Sequence, residues 1–241
     1  MTYRDLKILY EDNHLLVVVK PMNVPVQADE SGDPDMVNML KDYLIDEYDK
    51  PGDAYLGLVH RLDRPTGGVM VFAKTSKCAE RLCMAIRNGD VDKKYLAIVE
   101  GTPRYKTDKV FCYLKKFPDT NMVKIVPALT EGSKYAELDY KVLAQKHGRS
   151  LVSVKLITGR GHQIRVQMAG IGTPIVGDRR YGNDKNSRHP LCLWATELHF
   201  AHPISGEMLT FIVYPPSIAP WTAFNVDAFL RLTAPQEDYD E

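Results

Sequence analysis

With 241 residues, 44% of them hydrophobic and 26% charged, the chain has the composition of a soluble globular protein long enough to bury a full core. No stretch approaches the roughly 20 apolar residues that span a bilayer, and the opening Met1–Asp5 lacks a secretory pattern, so a cytoplasmic protein is expected. Cys78, Cys83, Cys112 and Cys192 form no Cys-x-x-Cys pair, so they read as reduced thiols and not as a disulfide frame or zinc site.

The formal net charge is zero, but it is unevenly spread. Leu58–Lys116 holds 13 Lys/Arg against 6 acids, a net of +7, and Asp29–Asp53 holds 2 lysines against 9 acids, a net of −7. One basic face on a neutral protein would suit phosphate binding. Uneven solvated surfaces account equally well for the same numbers.

The opening residues 8–20 read as two short strands around an Asp12-Asn13 turn, with Leu15–Val19 apolar on both faces as in a central strand. Val37, Leu40 and Leu44 predict a helix from about Asp35 to Tyr48. Ser76 is the expected cap of a second helix with Ala79, Leu82, Cys83 and Ile86 as its buried stripe. Tyr95–Val99 is a strand closed by Gly101, and Val110–Leu114 with Met122–Val126 form a hairpin across Pro118-Asp119-Thr120-Asn121. Alternation at Ala136, Leu138, Tyr140 and Val142, then at Val152, Val154 and Leu156, gives two half-buried strands. A short helix from His162 to Ala169, strands over Leu193–Phe200 and Met208–Val213, and a helical turn at Asp227–Leu232 complete the series. Many hairpin-linked strands with irregularly placed helices point to an α+β fold, a mixed and largely antiparallel sheet core with flanking helices. No repeat or linker divides the chain, so one domain is expected over residues 1–235, followed by an acidic, disordered tail over 236–241. No apolar stripe is left over once the core is assigned, so a monomer without an obligate protein partner is expected.

Two segments concentrate polar residues that a core would not want. In His60-Arg61-Leu62-Asp63-Arg64-Pro65-Thr66-Gly67-Gly68, one carboxylate stands among three cationic residues at the mouth of an apolar strand. Neighbouring cations favour its ionised form, and a carboxylate held out of bulk water is a usable nucleophile. A loop pinned by an Asp–Arg salt bridge reads the same way. In Gly159-Arg160-Gly161-His162-Gln163-Ile164-Arg165, glycines free the first N–H groups of a helix for an anion. His162 and Arg165 share a face of that helix, Ile164 and Met168 point inward, and Arg165 could reach Asp63. An amphipathic surface helix is the plainer alternative. The His, Asp and Glu spacings fit no familiar metal set.

Together these segments resemble the RluA family of RNA pseudouridine synthases, whose core motif runs His-Arg-Leu-Asp-x-x-Thr-Ser-Gly. Residues 60–68 match it, followed by the apolar strand and Ala73-Lys74. Three further blocks match in order: Ile8–Asp12 with Lys20-Pro21; Lys94–Gly101; and Gly159–Arg165 with Pro174–Gly182. Leu198–Pro203 also fits, so the resemblance runs from residue 8 to about 215. It implies the pseudouridine synthase fold and isomerisation of uridines in ribosomal or transfer RNA, with no metal or cofactor. Asp63 would be the nucleophile, Tyr95 would pack on the target base, Arg165 would pair with Asp63, and Arg61 would enter the space left by the extruded uridine. His60, Arg64, Thr66, Lys74 and His162 would contact RNA. Gly67 stands where the family has Ser, and is expected to serve a loop with φ > 0. Asn23 stands for a common glycine and tolerates left-handed backbone. The match opens directly on the catalytic core, so the S4 RNA-binding domain of many relatives is expected to be absent. A non-catalytic RNA-binding module or RNA chaperone, or a hydrolase using Asp63 with His60 or His162, are the competing classes. Intact Asp63, Tyr95 and Arg165 argue against the first, and the lack of a Ser or Cys nucleophile elbow against the second.

Overall fold

A computed structural model describes residues 1–231; the expected tail at 236–241 lies outside them. The first hairpin pairs β1 (Lys7–Glu11) with β2 (Leu15–Lys20). Its turn closes because the Asp12 carboxylate accepts the N–H groups of His14 and Leu15 at 2.7 and 2.6 Å. Helix α1 (Met36–Glu47) starts where the Asp35 side chain accepts from the Asn38 N–H, and it buries Met36, Met39, Leu40 and Leu44 along one stripe. The two-residue strand β3 (Gly57–Leu58) precedes β4 (Gly67–Ala73), which is buried throughout. Helix α2 (Ser76–Asn88) is capped by Thr75, whose hydroxyl accepts from the Cys78 N–H, and Ser76 is its first helical residue instead of its cap. Gly89, at φ 86°, ends it in left-handed geometry.

The remaining elements are β5 (Asp92–Glu100), β6 (Thr107–Phe117), β7 (Met122–Val126), β8 (Lys134–Lys146), β9 (Arg149–Leu156), α3 (Gln163–Gly170), β10 (Leu193–Ala201), β11 (Met208–Ile212) and α4 (Val226–Arg231). The strands form one sheet in the order β1-β2-β4-β10-β5-β9-β8-β6-β7, with β3 added to β4 and β11 to β10. Every pairing among the described residues is antiparallel except β4 with β10. The architecture is therefore α+β with a mixed, mostly antiparallel sheet.

The parallel contact is short, Gly67 against Trp194 and Gly68 against Ala195, and it explains the glycine pair. A Cβ on Gly67 would lie 2.2 Å from the Trp194 ring, and one on Gly68 would lie 2.2 Å from the Ala195 carbonyl oxygen. Gly68 has φ 125°, but Gly67 is not in the left-handed region, so the expectation for Gly67 is corrected. Its missing side chain makes room for a tryptophan. Asn23 does adopt left-handed geometry, at φ 64°. The main core packs α1 and α2 on the sheet, and a smaller cluster of Leu114, Val123, Ala136 and Val166 seats α3 beside β6–β8.

Candidate active site

The loop leading to β4 sorts its residues by where their side chains can find partners. Leu62 is buried, Arg61 is exposed, and Asp63 between them and the strand is half-buried, its carbonyl accepting the Thr66 N–H at 2.9 Å to close a turn. The His60 ring turns to the strand, where its Nε2 accepts the Val71 N–H at 3.1 Å. Burial, with the nearby Lys93 charge, pushes the pKa of His60 down to about 3, so it is a neutral acceptor that anchors the loop. Arg64 reaches away to Asp33, Asp29 and Ser31, part of the acidic stretch. Lys74 pairs with Glu11 at 2.5 Å and lies under the Tyr48 ring. Thr66 is buried. The cations surrounding Asp63 in sequence, His60 and Arg64, thus do not surround it in space.

Asp63 finds its cation 102 residues later, where Arg165 Nη1 donates to Oδ2 at 3.0 Å. Helix α3 is held in place for this by its glutamines. Gln163 accepts from the Thr158 hydroxyl and the Arg160 N–H and donates to the Glu137 carbonyl, while Gln167 donates to the Val110 and Ala136 carbonyls. Residues 163–168 are all buried, so the helix is an internal strut, and the surface-helix alternative is overturned. The fully buried Asp178 carboxylate fixes the Arg165 guanidinium by accepting Nε at 2.8 Å and Nη2 at 2.9 Å. Asp178 Oδ1 also accepts the N–H groups of Arg180 and Tyr181 at 2.9 and 3.0 Å. Burial disfavours both charges of this pair, but their mutual hydrogen bonds and attraction outweigh it, raising the Arg165 pKa and lowering that of Asp178.

His162 does not lie within the helix. It is the residue before it, at φ 54°, and this left-handed turn brings Nε2 to 3.9 Å from Asp63 Oδ1. Its Nδ1 lies 2.6 Å from the Tyr181 hydroxyl, which already accepts the Val123 N–H at 2.9 Å. The Nε2 edge of the imidazole therefore faces Asp63. Burial lowers the His162 pKa, with Arg165 adding to this and Asp63 opposing it. Tyr95, from β5, is buried, and burial followed by the Asp63 charge raises its pKa, so its phenol stays protonated beside the carboxylate. Lys20, fully buried at the end of β2, donates to the carbonyls of Pro21 at 2.8 Å and Arg64 at 3.0 Å, tying the first hairpin to the Asp63 turn. Burial pushes its pKa down to about 7, Asp63 partly countering this.

The structure thus gathers Asp63, Tyr95, Arg165 and His162. It leaves Arg61 exposed on the loop, ties Arg64 to the surface carboxylates of Asp29 and Asp33, and turns His60, Thr66 and Lys74 into the protein. Asp178, Tyr181 and Lys20 are the additions; all three stand in matching sequence blocks, but no spacing says what they touch. Among the described residues, no cluster of three or more His, Cys, Asp or Glu side chains could hold a metal, and no helix is long and apolar enough to cross a membrane.

Residues 14–170 match the family described as RNA pseudouridylate synthase. The chain is 34% identical over 217 residues to ribosomal large subunit pseudouridine synthase D of Zymomonas mobilis, covering 86% of this chain and 68% of the relative. It is also 34% identical over 213 residues to ribosomal large subunit pseudouridine synthase C of Buchnera aphidicola, covering 85% and 66%. The chain therefore spans about two thirds of the length of these relatives. The solved structure of human RNA pseudouridylate synthase domain containing 4 superimposes with a TM-score of 0.74 at 26% identity, over 87% of this chain and 88% of that one. The chain belongs to the RNA pseudouridylate synthase family, isomerases that convert uridine to pseudouridine in RNA.

Proposed function

We propose that this protein isomerises specific uridines of ribosomal or transfer RNA, with Asp63 as the nucleophile. The observation that carries this reading is the half-buried Asp63 carboxylate, held by Arg165 at 3.0 Å beside the buried phenol of Tyr95. A uracil stacked in RNA hides the atoms to be attacked, so the target nucleotide is flipped into the pocket, with Tyr95 packing on its face and exposed Arg61 filling the gap left behind. The Asp63 carboxylate then adds to C6 of the uracil or to C1′ of the ribose. The N1–C1′ bond breaks, the ring turns, C5 bonds to C1′, the bond to Asp63 breaks to return the free carboxylate, C5 loses its proton and N1 gains one. Oxidation states and atoms balance without a cofactor. Arg165 orients the carboxylate for attack, with the His162 imidazole on its other side. Arg61 and His162 are the RNA contacts that this geometry supports among those the motif implies. His60 and Thr66 anchor the loop, Arg64 ties it to Asp29 and Asp33, and Lys74 pairs with Glu11 beyond the end of β4.

The protein works as a cytoplasmic monomer in this reading, its residues 1–235 forming one catalytic domain. The names of the two bacterial relatives make large-subunit ribosomal RNA the first substrate to test. Total RNA from cells with and without the gene, treated with a chemical probe for pseudouridine, would show one or more sites that vanish with the gene. Identical modification maps would count against a ribosomal or transfer RNA target.

A further inference from the structure

Arg165 also borders a cavity of about 730 Å³ whose lining includes Pro65 of the Asp63 turn. The rest of its character comes from one stretch of chain, which contributes Arg179, Arg180, Lys185, Arg188 and His189, and no carboxylate lines it. Among the described residues, none of Arg179, Arg180, Lys185 and Arg188 forms an ion pair. Where they are tied, it is to backbone: Arg179 Nε to the Ser187 carbonyl, one Arg180 nitrogen to that of Asn121, and Lys185 Nζ to that of Arg180. Each guanidinium keeps further N–H donors, and Arg179, Lys185 and Arg188 are exposed. Four permanent cations in one concavity repel each other, and such clustering suits a ligand carrying several negative charges at short spacing. This concentration lies outside Leu58–Lys116, the stretch whose composition is most basic.

We infer that the Arg179–His189 segment forms a phosphodiester subsite that grips the RNA backbone next to the target nucleotide. The inference rests on the RNA-modifying reading above and adds where the chain outside the flipped base is held. The walls place a bound phosphate within reach of the Arg165 edge of the active site, while the bases contribute nothing to the grip. The subsite is therefore sequence-independent: it sets affinity and register, and leaves the choice of uridine to the Asp63 pocket.

The test is a salt titration of the full chain binding a labelled, mixed-sequence single-stranded RNA of about 20 nucleotides, long enough to reach beyond one phosphate contact. Wild type is compared with Arg179→Gln/Arg188→Gln and with Lys7→Gln, a charge removed from β1 at the opposite edge of the sheet from β7. Losing two phosphate contacts lowers the slope of log K against log salt by about 1.4 and weakens low-salt binding on the order of tenfold; Lys7→Gln changes neither. An unchanged slope in the double variant, or an equal drop for Lys7→Gln, would overturn the inference. Tritium release from RNA containing 5-tritiated uridine separates the two readings. A wild type that releases tritium while the double variant binds normally sinks the subsite alone. A drop in slope without any release by wild type keeps the subsite and sinks the synthase reading.

Discussion

Replacing Asp178 with Asn keeps the shape of the residue and removes the charge on which Arg165 leans. Oδ1 accepts three hydrogen bonds, from Arg165 Nη2 and the Arg180 and Tyr181 N–H groups, so the amide oxygen of Asn takes that position. The amide nitrogen then faces Arg165 Nε, donor against donor, where the carboxylate accepted at 2.8 Å. Arg165 is 6% exposed, so its charge cannot turn to water, and among the described residues Asp63 becomes its only ion-pair partner. Breaking a buried pair from one side costs about 3 kcal/mol or more, because the stranded charge stays buried. The guanidinium is drawn onto Asp63, misplacing the carboxylate, and a shift of about 1 Å at a reacting group costs on the order of a hundredfold in rate. Asp178→Asn should thus lose about 3 kcal/mol in denaturant unfolding and about a hundredfold in single-turnover isomerisation at saturating RNA. In a double-mutant cycle with Arg165→Met the two changes should be strongly non-additive. A variant within twofold of the wild-type rate, or a cycle that is simply additive, would refute the reasoning.

Two further outcomes follow from single contacts. Gly67→Ser restores the family's residue but drives its Cβ into the Trp194 ring, so it should destabilise by about 1–3 kcal/mol; thermal melting should show recovery in Gly67→Ser/Trp194→Leu and none if the family serine is tolerated outright. Lys20 has a pKa of about 7 in the fold against 10.5 ordinarily, so between these values the unfolded chain binds the extra proton and stability rises with pH. Measured against Lys20→Met, wild type should gain ~1.4 kcal/mol per pH unit in the middle of that window, on top of a constant offset from the lost bonds to the Pro21 and Arg64 carbonyls. A gap that stays flat from about pH 7.5 to 9.5 would show that Lys20 is not depressed in the fold.

Much of the architecture is legible because burial imposes a period. The stripe Val37, Leu40, Leu44 and the alternation from Ala136 to Val142 each point at one packed face; α1 forms within a residue of its expected ends, and β8 runs four residues past Val142, to Lys146. The cap of α2 is Thr75 and not the expected Ser76, because the two carry the same hydroxyl and only the backbone geometry chooses between them. The site was legible in part. Motif blocks select Asp63, Tyr95 and Arg165, but the side-chain directions within the 60–66 loop depend on partners far away in sequence. His60 is taken by the N–H of Val71, and Arg64 by Asp33, whose acidic stretch is visible in composition only as a charge imbalance. Asp178 could be seen in its block, yet nothing local reveals that its carboxylate serves Arg165 13 residues before it. Gly67 shows the same limit, since its reason is a tryptophan on a strand 127 residues later, at position 194.

The central claim is that Asp63 performs the isomerisation, and tritium release from RNA carrying 5-tritiated uridine tests it most directly, with wild type and Asp63→Asn measured side by side. C5 gives up its hydrogen only when the new carbon–carbon bond forms, and Asn matches the shape of Asp without its anionic oxygen. The account expects release by wild type and none by Asp63→Asn, with both proteins folded and binding RNA alike. Comparable release by the two proteins would contradict it.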